Sequence, residues 1–272
     1  MSSVIERLND KELSLVSVFA PHPTDYPEAN NLMSALLSGV QTILVKHFIG
    51  LYILGSLAGG DFNPLNSDID FVVVTDNALS EEILKDLEAM HTRIIKSSLK
   101  WAEKLEGSYI PKAALRRYDP FDTEYPAFWD GRIALGKHGS DWVIQRHILR
   151  EKGVVVAGPI PKSLIDQVSP KEIMWAAKET LHEWWSPQLC NTVRLRSSEY
   201  QAYAILTMCR ALYTLEYGTI VSKPTAAHWA QAVLDKRWAL LIEWAIAGRD
   251  DLQSGNMNEV LNFIRYTLDR SR

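Results

Sequence analysis

Hydrophobic and polar positions follow two different patterns along the chain, and the change falls near residue 158. Four short runs in the first part are rich in Val, Ile, Leu and Tyr and are bounded by Gly, Pro, Asn or Asp, which is typical of β-strands. These runs cover residues 51–54, 69–75, 107–110 and 153–157. Two segments, 27–47 before the first run and 81–105 between the second and the third, repeat apolar residues at helical spacing and therefore predict helices.

After residue 158 the strand pattern disappears and helical periodicity continues to the end of the chain. It predicts four helices, at about 171–185, 197–217, 225–248 and 256–270. The sequence therefore predicts an α+β protein with two domains. Residues 1–158 would form a mixed α/β domain around a mixed sheet, and residues 159–272 an all-α helical bundle.

Composition narrows the class of protein. The chain has 272 residues, of which 47% are hydrophobic and 23% charged, as expected for a soluble globular protein. With 29 basic and 33 acidic residues the net charge is −4, so no broad basic field is available to bind nucleic acid. Two cysteines cannot build a disulfide framework, and they lack zinc-site spacing.

No apolar run approaches the roughly 20 residues of a membrane span, and no signal-peptide pattern is visible near the N-terminus. We therefore expect a reduced cytoplasmic protein without a membrane partner. We also expect a monomer, and the charge balance argues against nucleic acid as a partner.

The segment 55–74 carries the most informative chemistry. A predicted strand leads into Gly55-Ser56, where a glycine lets a phosphate approach the backbone and the serine can donate hydrogen bonds to it. A turn then leads to Ser67-Asp68-Ile69-Asp70, at the start of the next predicted strand. Because side chains alternate along a strand, Asp68 and Asp70 share one face, and two carboxylates together suit Mg²⁺.

An isolated Asp-x-Asp is more often a solvated strand face than a metal site. The combination is more specific, because Gly-Ser comes first and 11 residues separate Ser56 from Asp68. This arrangement resembles the motif of the nucleotidyltransferase superfamily. The chain looks like the aminoglycoside adenylyltransferases that act on streptomycin and spectinomycin, which join this domain to an all-helical one.

The resemblance implies transfer of AMP from ATP to a hydroxyl group, with release of pyrophosphate and with Mg²⁺ as cofactor. It assigns Gly55, Ser56 and Ser67 to nucleotide binding, and Asp68 and Asp70 to the metal ion.

Glu106 matches a later glutamate of the family, which makes it the expected base on the acceptor hydroxyl and a third metal ligand. A positioned carboxylate can take the proton of an alcohol, which is otherwise a poor nucleophile. The alternative is a solvent-exposed glutamate at the end of a helix.

The helical part also carries matches to the family. Arg210 and Lys223 stand at the spacing found in relatives and are expected to bind the triphosphate. For Arg210, a salt bridge with Glu216 or a solvated helix face is the alternative. Asp141 matches another acidic residue near the nucleotide in these relatives.

The acceptor-binding residues suggested by the resemblance are Trp185, Glu199 and Asp130. Trp185 lies in a Trp-Trp-Ser-Pro sequence where relatives place an aromatic side chain that could stack on a sugar ring. Where relatives carry aspartates for a cationic drug, this chain has Arg194 and Arg196, with Glu199 as the one acidic residue. The missing carboxylates could come from an acidic run in the first domain: Asp119, Asp122, Glu124 and Asp130.

Three functional hypotheses remain at this point. The first is an O-nucleotidyltransferase acting on a small molecule, most simply an aminoglycoside resistance enzyme. The second is a nucleotidyltransferase that modifies a protein or an RNA end, although RNA would require a larger basic surface than Arg194, Arg196 and Arg210. The third is a non-catalytic nucleotide-binding regulator, against which the presence of Asp68, Asp70 and Glu106 together argues.

Overall fold

The computed structural model describes residues 17–20, 22–247 and 257–272, and the chain divides into two compact units. The first unit comprises residues up to Gly139 together with Gln145–Gln167, and the second comprises Ser140–Ile144 together with Val168–Arg272. We describe each unit in turn.

A single mixed sheet forms the centre of the first unit. Its strands are β1 (Ser17–Phe19), β2 (Phe48–Ile53), β3 (Ile69–Thr75), β4 (Leu105–Pro111), β5 (Glu124–Trp129), β6 (Arg132–Lys137) and β7 (Val154–Pro159). They lie in the order β1-β7-β2-β3-β4-β5-β6. β3 and β4 are parallel and the other neighbours are antiparallel, so the mixed sheet expected from the sequence is confirmed.

Helices flank this sheet. They are α1 (Pro27–Leu44), α2 (Gly55–Gly59), α3 (Glu81–Ile95), α4 (Lys112–Arg116), α5 (Asp141–Lys152) and α6 (Pro161–Leu164), and α5 has its first residues in the second unit. The apolar faces of α1 and α3 pack on inward-facing side chains of β2 and β3, and together they form the hydrophobic core of this unit. Ser80 caps α3 by accepting a hydrogen bond from the Ile83 backbone N–H, at 3.4 Å.

The helix predicted over 81–105 is shorter than the periodicity suggested. α3 ends at Ile95, and Trp101 takes a left-handed backbone conformation that redirects the chain. Leu105, which fits the apolar face of a longer helix, is instead the first residue of β4. The pairing of β4 with β3 outweighs local helical periodicity here.

The sequence reading also missed the hairpin formed by β5 and β6. Its two-residue turn is Asp130-Gly131, and both residues have positive φ, at 50° and 74°. Asp-Gly is a typical sequence for this tight turn, so the signal was present in the chain.

The second unit is helical, and no strand occurs in those of its residues for which the structure gives a conformation. Its helices are α7 (Pro170–Thr180), α8 (Ser186–Gln188), α9 (Ser198–Tyr217), α10 (Lys223–Val233), α11 (Ala239–Ala247) and α12 (Met257–Arg270). A π-helical turn, Leu181–Trp185, follows α7 directly. α9 packs against α7, α10, α11 and α12 and is the central helix of the bundle.

The helix predicted over 225–248 is interrupted. α10 ends at Val233, and Asp235 caps a short 3₁₀ turn by accepting a hydrogen bond from the Arg237 backbone N–H, at 2.9 Å. An aspartate that caps a new turn competes with continuation of the helix, which explains the break.

The division between the units lies at Gln167 rather than at the predicted residue 158. The intervening segment belongs to the first unit because Ile160, Leu164 and Ile165 are buried. Asp166 also pairs with Arg116 at 2.8 Å. Among the helices that the structure describes, none combines the length and the apolar character needed to cross a membrane.

A buried histidine yields a prediction about stability. His91 is fully buried, its ring stacks on Phe128 with 3.7 Å between centroids, and its Nε2 lies 2.6 Å from the Tyr109 hydroxyl. Burial lowers the pKa of His91 from 6.5 to about 3. As the pH falls below 6.5, the unfolded chain therefore takes up a proton that the folded protein excludes, and stability is lost.

Between pH 7.5 and pH 5.0, His91 should cost the wild-type protein about 2 kcal/mol of unfolding free energy, and His91→Phe should remove this loss. Urea unfolding at both pH values measures the difference. The same change at exposed His22 serves as a control and should keep the wild-type pH dependence. An identical pH dependence in His91→Phe and wild type would contradict the prediction.

Candidate active site

The register of two parallel strands brings the predicted carboxylates together. Asp70 on β3 pairs directly with Glu106 on β4, and Ile69 pairs with Leu105. Ile69 is fully buried in the core, whereas Asp68 and Asp70 lie on the opposite face, as the alternation along the strand predicts. The Asp-x-Asp pair and Glu106 therefore lie at the same end of two neighbouring central strands.

Gly55 makes room for one of these carboxylates. Its φ is +67°, and a Cβ atom at this position would lie only 1.8 Å from Asp70 Oδ2. The carboxylate of Asp70 thus packs directly against the Gly55 backbone. The sequence suggested only that this glycine admits a phosphate, and the structure adds that it admits the Asp70 side chain.

The two predicted serines lie in α2 and in the loop that follows it. Ser56 lies in the first turn of α2, and its carbonyl accepts a hydrogen bond from the Asp61 backbone N–H at 3.1 Å. Ser67 closes a turn with Asn63: its N–H donates to the Asn63 carbonyl at 2.8 Å, and its Oγ accepts from the Asn63 N–H at 3.0 Å. This turn leads directly into Asp68. Nucleotide binding by Ser56 and Ser67 stays a prediction.

The electrostatic environment of Glu106 is unusual for an exposed glutamate. Partial burial of the carboxyl group, which disfavours its charged form, raises the pKa of Glu106 to about 7. The negative charges of Asp68, Asp70 and Asp130 add to the effect. A carboxyl group with a pKa near 7 can hold or accept a proton at neutral pH, which is the property required of a general base.

Asp130 reaches this neighbourhood through the β5–β6 hairpin. Phe128 on β5 pairs with Gly107 on β4, and Asp130 forms the turn that follows. Its charge acts on Glu106. The turn signal of Asp130-Gly131 was present in the sequence, but the proximity of Asp130 to Glu106 depends on the pairing of β5 with β4, which the sequence does not show. A role of Asp130 in acceptor binding stays a prediction.

These carboxylates do not by themselves form a complete metal cage. Among residues 17–20, 22–247 and 257–272, no three His, Cys, Asp or Glu side chains are arranged as a metal-binding group. Mg²⁺ at nucleotide sites is commonly held by only one or two protein carboxylates, with phosphate oxygens and water completing the shell. Asp68 and Asp70 supply hard oxygen donors of that kind. Metal binding by Asp68, Asp70 and Glu106 stays a prediction.

Three predicted nucleotide-binding residues cluster in the second unit around one tyrosine. The Lys223 ammonium lies over the ring of Tyr203, 4.0 Å from its centroid. Burial raises the pKa of the Tyr203 hydroxyl. The positive charge of Arg210 lowers this pKa, and the negative charge of Asp141 raises it further. Tyr203 was missed by the sequence reading. The available signal was its position on α9, seven residues before Arg210, which places both on one helix face.

The structure corrects the prediction for Trp185. Its side chain is 2% exposed and packs in the helical core near Tyr200, so it is not free to stack on a sugar ring. Its neighbour Trp184 is 46% exposed, with the Arg194 guanidinium 4.9 Å from its ring centroid. The π-helical turn sets which of the two indoles points inward, and a regular helical pattern could not predict this.

Glu199 is exposed in the first turn of α9. Acidic residues are favoured there because the N-terminal end of a helix carries partial positive charge. Its position is therefore explained without an acceptor, and acceptor binding by Glu199 stays a prediction.

Comparisons with known proteins agree with this organisation. A nucleotidyltransferase domain model matches residues 38–123, and a model of the C-terminal domain of aminoglycoside adenylyltransferase matches residues 163–270. A spectinomycin 9-adenylyltransferase from Staphylococcus aureus is 25% identical over 244 residues, which cover 84% of this chain and 89% of that protein. An aminoglycoside (3'') (9) adenylyltransferase from Shigella flexneri is 22% identical, with 88% and 93% covered.

A solved structure shares the fold. It is a spectinomycin adenyltransferase from Enterococcus faecialis, crystallised with ATP and spectinomycin, and it is 18% identical to this chain. The TM-score is 0.68, and the match covers 89% of this chain and 98% of the other. The expected α+β architecture, with a mixed sheet followed by a helical region, is thereby confirmed.

The contact between Gly55 and Asp70 yields a second prediction. Gly55→Ala forces a side chain into a left-handed backbone and into the Asp70 carboxylate, so it should lower the unfolding free energy and displace Asp70. Gly60→Ala is a matched control, because Gly60 also has a positive φ, +82°, but no atom lies within 4 Å of an added Cβ.

Both substitutions should lower the unfolding free energy because they place a side chain on a backbone with positive φ. In Gly55→Ala the clash with Asp70 should lower it by about a further 1–3 kcal/mol. Chemical denaturation of the two variants measures this difference. Equal destabilisation by both substitutions would show that Asp70 does not depend on the space at Gly55.

Proposed function

Because the chain belongs to the aminoglycoside adenylyltransferase family, we propose that it transfers AMP from ATP to a hydroxyl group of an aminoglycoside in a Mg²⁺-dependent reaction that releases pyrophosphate. The observation that carries the proposal is the pairing of Asp70 with Glu106 across β3 and β4, with Asp68 alongside. We further propose that the enzyme acts as a cytoplasmic monomer.

Asp68 and Asp70 would hold the metal ion. Two carboxylates on adjacent same-face positions provide hard oxygen ligands, and Gly55 leaves the space that the Asp70 carboxylate needs. When bound, Mg²⁺ supplies positive charge that offsets the negative charge of the triphosphate.

Glu106 is the proposed base. The acceptor oxygen forms a bond to the α-phosphorus of ATP while the bond from that phosphorus to the bridging oxygen of the pyrophosphate breaks. The hydroxyl proton passes to the Glu106 carboxylate, whose pKa of about 7 leaves a substantial ionised fraction at neutral pH. Partial burial is the largest cause of the raised pKa, and it favours this transfer also when the metal ion offsets the charges of Asp68 and Asp70.

Arg210 and Lys223 are proposed to bind the phosphate groups, together with the backbone and hydroxyl of Gly55-Ser56. Guanidinium and ammonium groups are the usual partners of phosphate, and Arg210 can form a bidentate contact. Asp141 acts on the same cluster around Tyr203 and is proposed to fix its geometry.

An aminoglycoside is the proposed acceptor. Carboxylates suit a polycation, and in the first unit the charge of Asp130 acts on Glu106. We therefore propose that this pair of carboxylates contacts the acceptor.

The direct experiment incubates the protein with ATP and MgCl₂ and, in separate reactions, with spectinomycin or streptomycin. Mass spectrometry should detect a drug carrying one AMP group, and pyrophosphate should appear in equal amount. Asp70→Asn should abolish the product, because the metal loses a ligand charge. If neither drug is modified, and AMP is instead transferred to a protein or RNA added in place of the drug, the proposed acceptor class is wrong.

Glu106→Gln separates the base from a metal ligand. As the base, Glu106 can be replaced without weakening Mg²⁺–ATP binding, but turnover should fall by roughly 10²–10⁴-fold. Calorimetric titration with Mg²⁺–ATP supplies the second readout, since loss of a metal ligand would weaken binding as well. Glu103→Gln, at an exposed position in the 3₁₀ turn before β4, should retain wild-type turnover. Normal turnover in Glu106→Gln would end the base assignment.

A further inference from the structure

An aromatic side chain on α9 faces one of the cations to which the proposed function gives a role. Tyr203 is 41% exposed, and the Lys223 ammonium lies 4.0 Å from the centroid of its ring. We propose that Tyr203 is a positioning residue, whose ring holds the Lys223 ammonium ready for the phosphate groups of the nucleotide. This inference rests on the proposed function, because it takes Lys223 as a phosphate ligand.

The ring of Tyr203 is itself held in place from within the second unit. It packs against Tyr200, with 5.5 Å between ring centroids, and against Trp185, with 5.9 Å. Trp185 is buried in the helical core, and the π-helical turn directs it there. The Tyr203 ring is therefore a fixed surface with one side available to a cation.

Two features of Lys223 make contact with such a surface favourable. It is the first residue of α10, and Ser222 fixes the backbone there by accepting a hydrogen bond from the Thr225 N–H at 3.3 Å. A positive charge at the start of a helix is opposed by the helix dipole, and a lysine side chain has four flexible carbons. A cation–π contact offsets the unfavourable interaction with the helix dipole and restricts the motion of the lysine side chain.

The geometry favours positioning over competition. An ammonium group has three N–H donors, so it can contact a ring face and phosphate oxygens at the same time. Arg210 lies on the same face of α9, about two helical turns from Tyr203, and its charge acts on the Tyr203 hydroxyl. The ring thus keeps Lys223 in the neighbourhood of the second proposed phosphate ligand.

The experiment measures binding of Mg²⁺–ATP by calorimetry, which requires no acceptor. Tyr203→Leu removes the π face and should raise the Kd for Mg²⁺–ATP by roughly three- to tenfold. Tyr203→Phe keeps the ring and should bind close to wild type. Tyr217→Leu is the matched control, since Tyr217 is 52% exposed on the same helix and packs against Tyr213 and Trp229.

A double-mutant cycle with Lys223→Ala shows whether the effect passes through the lysine. In that background Tyr203→Leu should have no further effect on the Kd. In turnover assays Tyr203→Leu should raise KM for ATP by the same factor and leave kcat within about twofold, because the ring does not touch the reacting atoms.

Each result decides the matter. Unchanged binding in Tyr203→Leu, equal weakening in Tyr217→Leu, or an undiminished effect in the Lys223→Ala background would overturn the positioning role. Tighter binding in Tyr203→Leu would show that the ring competes with phosphate for Lys223 and would also overturn it. If wild type binds no Mg²⁺–ATP, the proposed function itself fails, which is distinguishable because the other outcomes all require a binding wild type.

Discussion

The parallel pairing of β3 with β4 is the constraint on which the candidate active site depends. It sets Asp70 opposite Glu106, while Ile69 and Phe71 anchor the other face of β3 in the core. A parallel pair needs a crossover connection, and α3 provides it by packing its apolar side on the sheet. A shift of one residue in β3 would turn both aspartates into the core, so the hydrophobic pattern that folds the sheet also places the chemistry.

This placement has an energetic cost. Partial removal from water is the main cause of the raised pKa of Glu106, and repulsion by the like charges of Asp68 and Asp70 adds to it. Asp130 adds a further negative charge from the β5–β6 turn. Such an acidic cluster contributes nothing to folding, whereas it suits a bound cation and a proton acceptor. The cluster around Tyr203 in the second unit has a different charge composition, with Arg210 and Lys223 alongside Asp141.

Much of this could be predicted from the sequence because alternation and helical periodicity are local properties. Period-two alternation predicted the strand 69–75 and the face on which Asp68 and Asp70 lie. The change from a strand pattern to a helical pattern after the sheet could also be seen in the sequence. What could not be predicted depends on distant parts of the chain. Leu105 lies in a strand because β3 pairs with it, and Trp185 points inward because of a π-helical turn. Tyr203 became a candidate only through its contact with Lys223, 20 residues away. The Asp130-Gly131 turn was a readable signal that was overlooked.

The central claim is that the strand register places Glu106 among negative charges. Its most direct test is the pKa of Glu106, measured by NMR titration of the carboxyl carbon in nucleotide-free protein with a chelator present. The structure predicts a pKa of about 7 in wild type. In Asp70→Asn the pKa should be lower, because removal of a negative charge makes the ionised carboxylate less unfavourable. An ordinary glutamate pKa in wild type, or a raised pKa that Asp70→Asn leaves unchanged, would contradict the account.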